Sequence, residues 1–104
     1  MLLLTDYEGR SVRLIDERWR HIEEHPEMVG LRGAVAETLR EPESVIQSAS
    51  DPMARLYYHF YHRTVVGGKH LCVVVKVRQD DAFVVTAYLT DRVKKGIVLW
   101  PIES

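Results

Sequence analysis

Two of the five histidines, His21 and His25, stand four residues apart. On a helix that spacing puts both on one side, and it is also the spacing of a two-histidine metal pair. The residue after His21 is Ile22, so the glutamate-bearing zinc motif fails. A third ligand would have to come from His59, His62, His70 or an acid. Two other readings stay open. A helix-end imidazole can meet the last carbonyls, which suits His25. A histidine can also act as acid or base, since it alone titrates near neutrality unperturbed. Lys76 lies among valines. A lysine is almost never buried unpaired, so it points to solvent or stabilises an anion, and His59 and Thr86 nearby favour the anion. Cys72 is the only cysteine. It carries no nucleophile signature and reads as a small core or half-exposed thiol. Gly67-Gly68 reads as a hairpin turn rather than a phosphate loop.

These residues sit in a chain of 104, which is one domain. The composition, 46% hydrophobic and 28% charged, excludes a disordered, collagenous or coiled-coil chain. With one cysteine there is no intrachain disulfide and no Cys-rich zinc site. No apolar run is long enough to span a membrane, and the opening MLLLTDYEGR lacks a signal peptide's basic start. The expectation is a soluble protein of a reducing compartment, the cytoplasm. Net charge is −1, but it is unevenly spread. Residues 1–52 hold 6 Lys/Arg and 11 Asp/Glu, whereas residues 53–104 hold 8 and 4. The basic half points weakly to an anionic partner.

Leu2–Leu4 and Val12–Leu14 form a short hairpin in this reading. Asp16 then caps a helix reaching about His25, with Ile15, Trp19 and Ile22 as its apolar stripe and Pro26 as its stop. Leu31, Val35 and Leu39 mark a second helix to Arg40. Ser44–Ser48 is a short strand. From Arg55 the period changes to two. Strands are expected over Arg55–Thr64, His70–Arg78 and Ala82–Thr90, with an edge strand over Gly96–Pro101. The expected fold is α+β: N-terminal helices, with short strands, in residues 1–50, packed on an antiparallel meander of about four strands in residues 53–104.

Register decides which residues share a face. With Gly67-Gly68 as a two-residue turn, Tyr61 faces Val74, His59 faces Lys76 and Tyr57 faces Arg78. With a three-residue loop at Gln79–Asp81, Lys76 faces Val84, Val74 faces Thr86 and Cys72 faces Tyr88. One face then collects Leu56, Tyr58, Phe60, Leu71, Val73, Val75 and Ala87 as the core, with Trp19 and Trp100 assigned to the core as well. The other collects Arg55, Tyr57, His59, Tyr61, Lys76, Arg78, Thr86 and Tyr88, without a carboxylate from these strands. An ordinary solvated sheet face has such residues too. Three tyrosines and a histidine among cations also suit a surface that stacks and hydrogen-bonds RNA.

Three blocks carry a resemblance: Trp19-Arg20-His21-Ile22-Glu23-Glu24-His25-Pro26-Glu27-Met28, Tyr57-Tyr58-His59-Phe60-Tyr61, and Phe83-Val84-Val85-Thr86-Ala87-Tyr88-Leu89-Thr90-Asp91. Taken in this order, the chain resembles a small phage- and bacterium-associated family of the barnase–EndoU–colicin–RelE-like (BECR) nuclease fold. The resemblance spans nearly the whole chain. It implies helices on a four-stranded antiparallel meander. It also implies a toxin-like, metal-independent endoribonuclease, without a cofactor, held by an antitoxin or immunity protein. The matching site positions are His21 or His25, Arg55, Lys76, Thr86 and Tyr88.

The implied chemistry is transesterification. A base takes the 2′-OH proton, an acid protonates the leaving 5′-oxygen, and positive charge steadies the phosphorane. His21 or His25 supplies the acid or base. Lys76 holds charge, and Thr86 and Tyr88 donate hydrogen bonds. Arg55, Tyr57, His59, Tyr61 and Arg78 line the substrate. If the helices cover the apolar face, His21 and His25 start on the wrong side of the sheet and must overhang an edge. His59, beside Lys76 in the expected register, is then the rival base. A non-catalytic module binding RNA or protein on the same face is the alternative function.

Overall fold

The computed structural model describes residues 1–102. Its elements are β1 (Leu2–Thr5), β2 (Ser11–Leu14), α1 (Asp16–Glu23), α2 (Arg32–Arg40), β3 (Ser44–Gln47), β4 (Ala54–Tyr61), β5 (Lys69–Arg78), β6 (Asp81–Thr90) and β7 (Ile97–Trp100). A 3₁₀ turn at Pro26–Met28 links the helices. The first helix stops before Pro26 but two residues earlier than expected, at Glu23: the residue before a proline leaves the helical region, and His25 is extended. Asp16 is the first helical residue rather than the cap, which is Ile15.

All seven strands join one sheet in the order β1-β2-β6-β5-β4-β3-β7. This overturns the expected architecture of N-terminal helices on a four-stranded meander. The fold is α+β, but it is a strand-rich mixed sheet with two short helices. The reason lies in the chain ends. The N-terminal hairpin is not an appendage of the helical part; it extends the sheet, through a parallel contact of β2 with β6 at Arg13 and Phe83. At the other end β3 accepts β7 on its far side. The remaining neighbours are antiparallel.

Both helices lie on one face. Trp19 and Ile22 of α1 and Val35 and Leu39 of α2 pack with Val12, Leu14, Val45, Tyr57, Leu71, Val73, Val75, Val84 and Ala87. The sheet coils over these helices until the β1–β2 loop reaches β4 and β7. Tyr7 packs on Tyr57 (6.1 Å) and Trp100 (5.4 Å). Trp100 is 39% exposed, so its assignment to the core is corrected. On the second face a smaller buried cluster, Ile46, Leu56, Tyr58 and Cys72, is flanked by Val74 and Tyr88.

The first hairpin departs from the expected register. β4 and β5 are joined by residues 62–68 rather than by Gly67-Gly68 alone. Within that loop the amide of Gly67 donates to the Thr64 carbonyl, and the amide of Thr64 to the Gly67 carbonyl (both 3.1 Å). Tyr61 pairs with Lys69, His59 with Leu71, Tyr57 with Val73 and Arg55 with Val75. The slip is five residues, an odd number, so β4 turns over relative to β5. Arg55, Tyr57, His59 and Tyr61 therefore face the helices, and Leu56, Tyr58 and Phe60 take the other face. The second hairpin agrees with the sequence reading at Val74–Thr86 and Cys72–Tyr88. Its loop has two residues instead of three, and Val85 is the extra residue of a bulge that restores the register. Lys76 consequently pairs with Phe83, not Val84.

Candidate functional site

The residues expected to form one site are divided between two layers. Lys76, Thr86 and Tyr88 share the helix-free face of β5 and β6. His21 and His25 belong to the helix layer, where α1 packs on the opposite face, and both side chains are exposed. Their nearest acids are on their own segments: Glu24 lies 3.5 Å from His21, and Glu27 lies 3.8 Å from His25. Among the described residues no three His, Cys, Asp or Glu side chains gather in a way that could hold a metal ion.

The expected substrate residues of β4 have structural partners. Tyr57 is fully buried and donates its hydroxyl to Asp6 (2.7 Å). Burial, reinforced by that carboxylate, pushes the phenol well above its ordinary value. Arg55 reaches Glu8 at 3.1 Å. Tyr61 donates to Glu37 (2.6 Å), with its pKa raised by burial and by this bond. His59 Nδ1 meets the Glu41 carbonyl (2.8 Å), and its ring packs 4.8 Å from Tyr61. These four residues fasten the hairpin tip and α2 to the sheet. His59 is not beside Lys76; the two occupy opposite faces.

The cations are also partnered. Lys76 meets Asp51 at 2.8 Å. Arg13 grips Asp81 through two hydrogen bonds of 2.9 and 2.6 Å. Arg78 and Arg13 each stand 5.6 Å from the centre of the Phe83 ring. The expected carboxylate-free face thus receives Asp81 from the first position of β6 and Asp51 from the loop before β4. Those ion pairs hold both carboxyls below their ordinary pKa, mainly through their hydrogen bonds to Arg13 and Lys76.

What the helix-free face assembles instead is a second pair of histidines. Phe60 packs against both His62 and His70, with both ring centres 5.0 Å from its own and both crossings edge-on, at 80° and 71°. Tyr58 completes the group 6.4 Å from His70. His70 pairs with Thr90, and Cys72 with Tyr88, so Tyr88 is a diagonal neighbour of His70. Diagonal positions lie about 7–8 Å apart, within reach of long side chains. His70 Nδ1 is buried with no partner among the described residues. Burial raises the Tyr88 phenol, so it keeps its proton and remains a donor. Beneath lies Tyr58, pushed up to about 12 by burial, whose hydroxyl accepts the Lys94 amide (3.1 Å).

This histidine pair was missed as a site, though a signal existed. His70, Cys72, Val74 and Lys76 have the same parity, so His70 shares Lys76's face whatever the hairpin register. His62 and Phe60 share a parity too, but their face depends on the turn.

No family model, curated protein or solved structure matches the chain. Among the described residues no helix is long and apolar enough to cross a membrane.

Proposed function

We propose that the chain is a cytoplasmic, toxin-like, metal-independent endoribonuclease that holds single-stranded RNA on the helix-free face of the sheet. What carries the reading is the pair His62 and His70, both packed on Phe60. Cleavage by transesterification needs a base and an acid at opposite ends of one phosphodiester, and two imidazoles can exchange those roles. Phe60 offers an aromatic edge or face to a base. Tyr88 and Thr90 present hydroxyls to the phosphate. Thr86 and Lys76 extend the track along β5 and β6: Thr86 opposite Val74, four residues from His70, and Lys76 six residues from it, or about 20 Å of strand. Base removal of the 2′-OH proton lets that oxygen attack phosphorus. The P–O5′ bond breaks, and the acid protonates the departing oxygen, leaving a 2′,3′-cyclic phosphate. An antitoxin or immunity protein would be the natural restraint on such an activity.

The test is incubation with total RNA in EDTA. The wild type should leave cyclic-phosphate ends. His62→Gln or His70→Gln should slow cleavage about 10²-fold or more while RNA affinity stays within a few-fold. His21→Ala and His25→Ala should behave as wild type. Loss confined to the last two would move the chemistry to the end of α1. Salt-dependent binding without any turnover would leave the non-catalytic RNA-binding module.

A further inference from the structure

Between β6 and β7 the chain crosses the helix-free face. The Lys94 amide donates to the Tyr58 hydroxyl of β4 (3.1 Å). Gly96 lies against β3, where a methyl group would meet the Gln47 carbonyl oxygen and stand 2.7 Å from the Ile46 side chain. Beside this crossing is the β3–β4 loop, closed by the Ser48 amide on the Ala54 carbonyl (2.9 Å) and the Ala54 amide on the Asp51 carbonyl (3.0 Å). The two segments enclose a cavity of about 170 Å³. Its apolar lining includes Ile46 and Leu56, both buried; its polar side chains are Ser48, Ser50, Lys94 and Lys95.

These polar groups are donors. No carboxylate lines the cavity, and neither lysine meets one among the described residues. The acid of the loop, Asp51, is taken by Lys76 (2.8 Å). The Ser48 and Ser50 hydroxyls share one hydrogen bond (3.1 Å). Two hydroxyls carry two protons and that bond uses one, so whichever donates, one proton is left for an outside acceptor. The matching ligand is an anion that only accepts. The cavity is smaller than the ~300 Å³ at which pockets for drug-sized ligands begin, so it takes one group rather than a whole nucleotide. Two ammonium groups and a hydroxyl suit the several oxygens of a phosphate better than the two of a carboxylate.

We infer that this cavity is a phosphate-binding pocket, and that it holds a backbone phosphate of a single-stranded RNA that runs on to the histidine pair. The phosphate stands on the donors; its source in RNA rests on the function proposed above. Tyr58 joins the two places: its hydroxyl holds the Lys94 amide, and its ring is 6.4 Å from that of His70. Leu56 at the pocket and Phe60 at the histidines are four residues apart on β4, or about 13 Å of strand.

The test titrates the whole protein, labelled with ¹⁵N, with inorganic phosphate and separately with a short 2′-O-methyl oligouridylate, which cannot be cleaved. Both should give saturable shifts at the amides of Ser48, Ser50, Lys94 and Lys95. Lys94→Gln/Lys95→Gln, two exposed changes, should leave the circular dichroism spectrum unaltered, weaken phosphate binding about tenfold and lower the salt slope of oligonucleotide binding by about one. The pocket is overturned by any of three results: no shift at these amides with phosphate, equal shifts with acetate or chloride at matched ionic strength, or undiminished phosphate binding in the double variant. Shifts with inorganic phosphate alone overturn the RNA source and assign the pocket to a free phosphate compound. Shifts with both ligands support the inference even if unmodified RNA is never cleaved, a result that would refute the nuclease alone.

Discussion

Tyr57→Phe separates a structural from a substrate role for a residue in the middle of the sheet. Asp6 is buried, and it accepts four hydrogen bonds: from the amides of Glu8 and Arg10 (both 2.9 Å), the Arg10 guanidinium (2.8 Å) and the Tyr57 hydroxyl (2.7 Å). Removing the hydroxyl deletes one bond to a charged acceptor and leaves three, a loss of about 1.5–3 kcal/mol. Asp6→Ala strands two amides and the Tyr57 hydroxyl and leaves the Arg10 guanidinium only Glu8 at 3.3 Å, and should cost about 3–5 kcal/mol. For a domain near this size each kcal/mol is worth about 4–8 °C in Tm. Urea unfolding of both variants and of the double variant gives the coupling directly. The double variant should lose little more than Asp6→Ala, since the partner is already gone. The reasoning fails if Tyr57→Phe unfolds like wild type and instead weakens RNA binding. That result would return Tyr57 to the substrate surface.

Three further outcomes can be measured. Gly96→Ala places a methyl group against the Gln47 carbonyl oxygen and 2.7 Å from the Ile46 side chain, so β7 must shift; thermal unfolding should show a loss of about 1–3 kcal/mol. Asp51, Asp81 and Asp91 are each held below the usual carboxylate range, chiefly by hydrogen bonds to Lys76, Arg13 and Lys69. A lowered folded pKa means stability present above about pH 4 and lost as the pH falls through the folded values. Tm should therefore decline below about pH 4, and Arg13→Gln should flatten that decline. Asp51→Asn releases Lys76 from its 2.8 Å partner; filter binding should show tighter RNA association and a salt slope steeper by about one.

The elements themselves were legible in the sequence. The Trp19/Ile22 and Val35/Leu39 stripes mark α1 and α2, Pro26 marks the stop, and the change from period 3.6 to period 2 marks the meander. Long-range pairing was not. Nothing local in Ser11–Leu14 announces a parallel neighbour almost seventy residues later, and nothing in Ile97–Trp100 chooses β3. Parity along one strand is robust and keeps Thr86 with Tyr88; Lys76 shares their face because the Val85 bulge offsets the shorter loop. Parity between strands passes through a loop. Gly67-Gly68 offered a tight turn, but the chain closes earlier, at Thr64–Gly67, and the odd slip turned His59 away from Lys76. The side chains of β4 were then misread because phenols serve buried hydrogen bonds as readily as they serve RNA.

The parallel contact between β2 and β6 also sets an order of assembly. β4, β5 and β6 form from neighbouring segments, so their pairing closes short loops. The N-terminal hairpin can close by itself, yet two strands alone are marginal in water. Its seat exists only when Phe83 has been incorporated in β6. During synthesis, therefore, β1 and β2 leave the ribosome well before the strand that seats them. Until then Val12 and Leu14 lack the strand that completes the core they share with Val84 and Ala87.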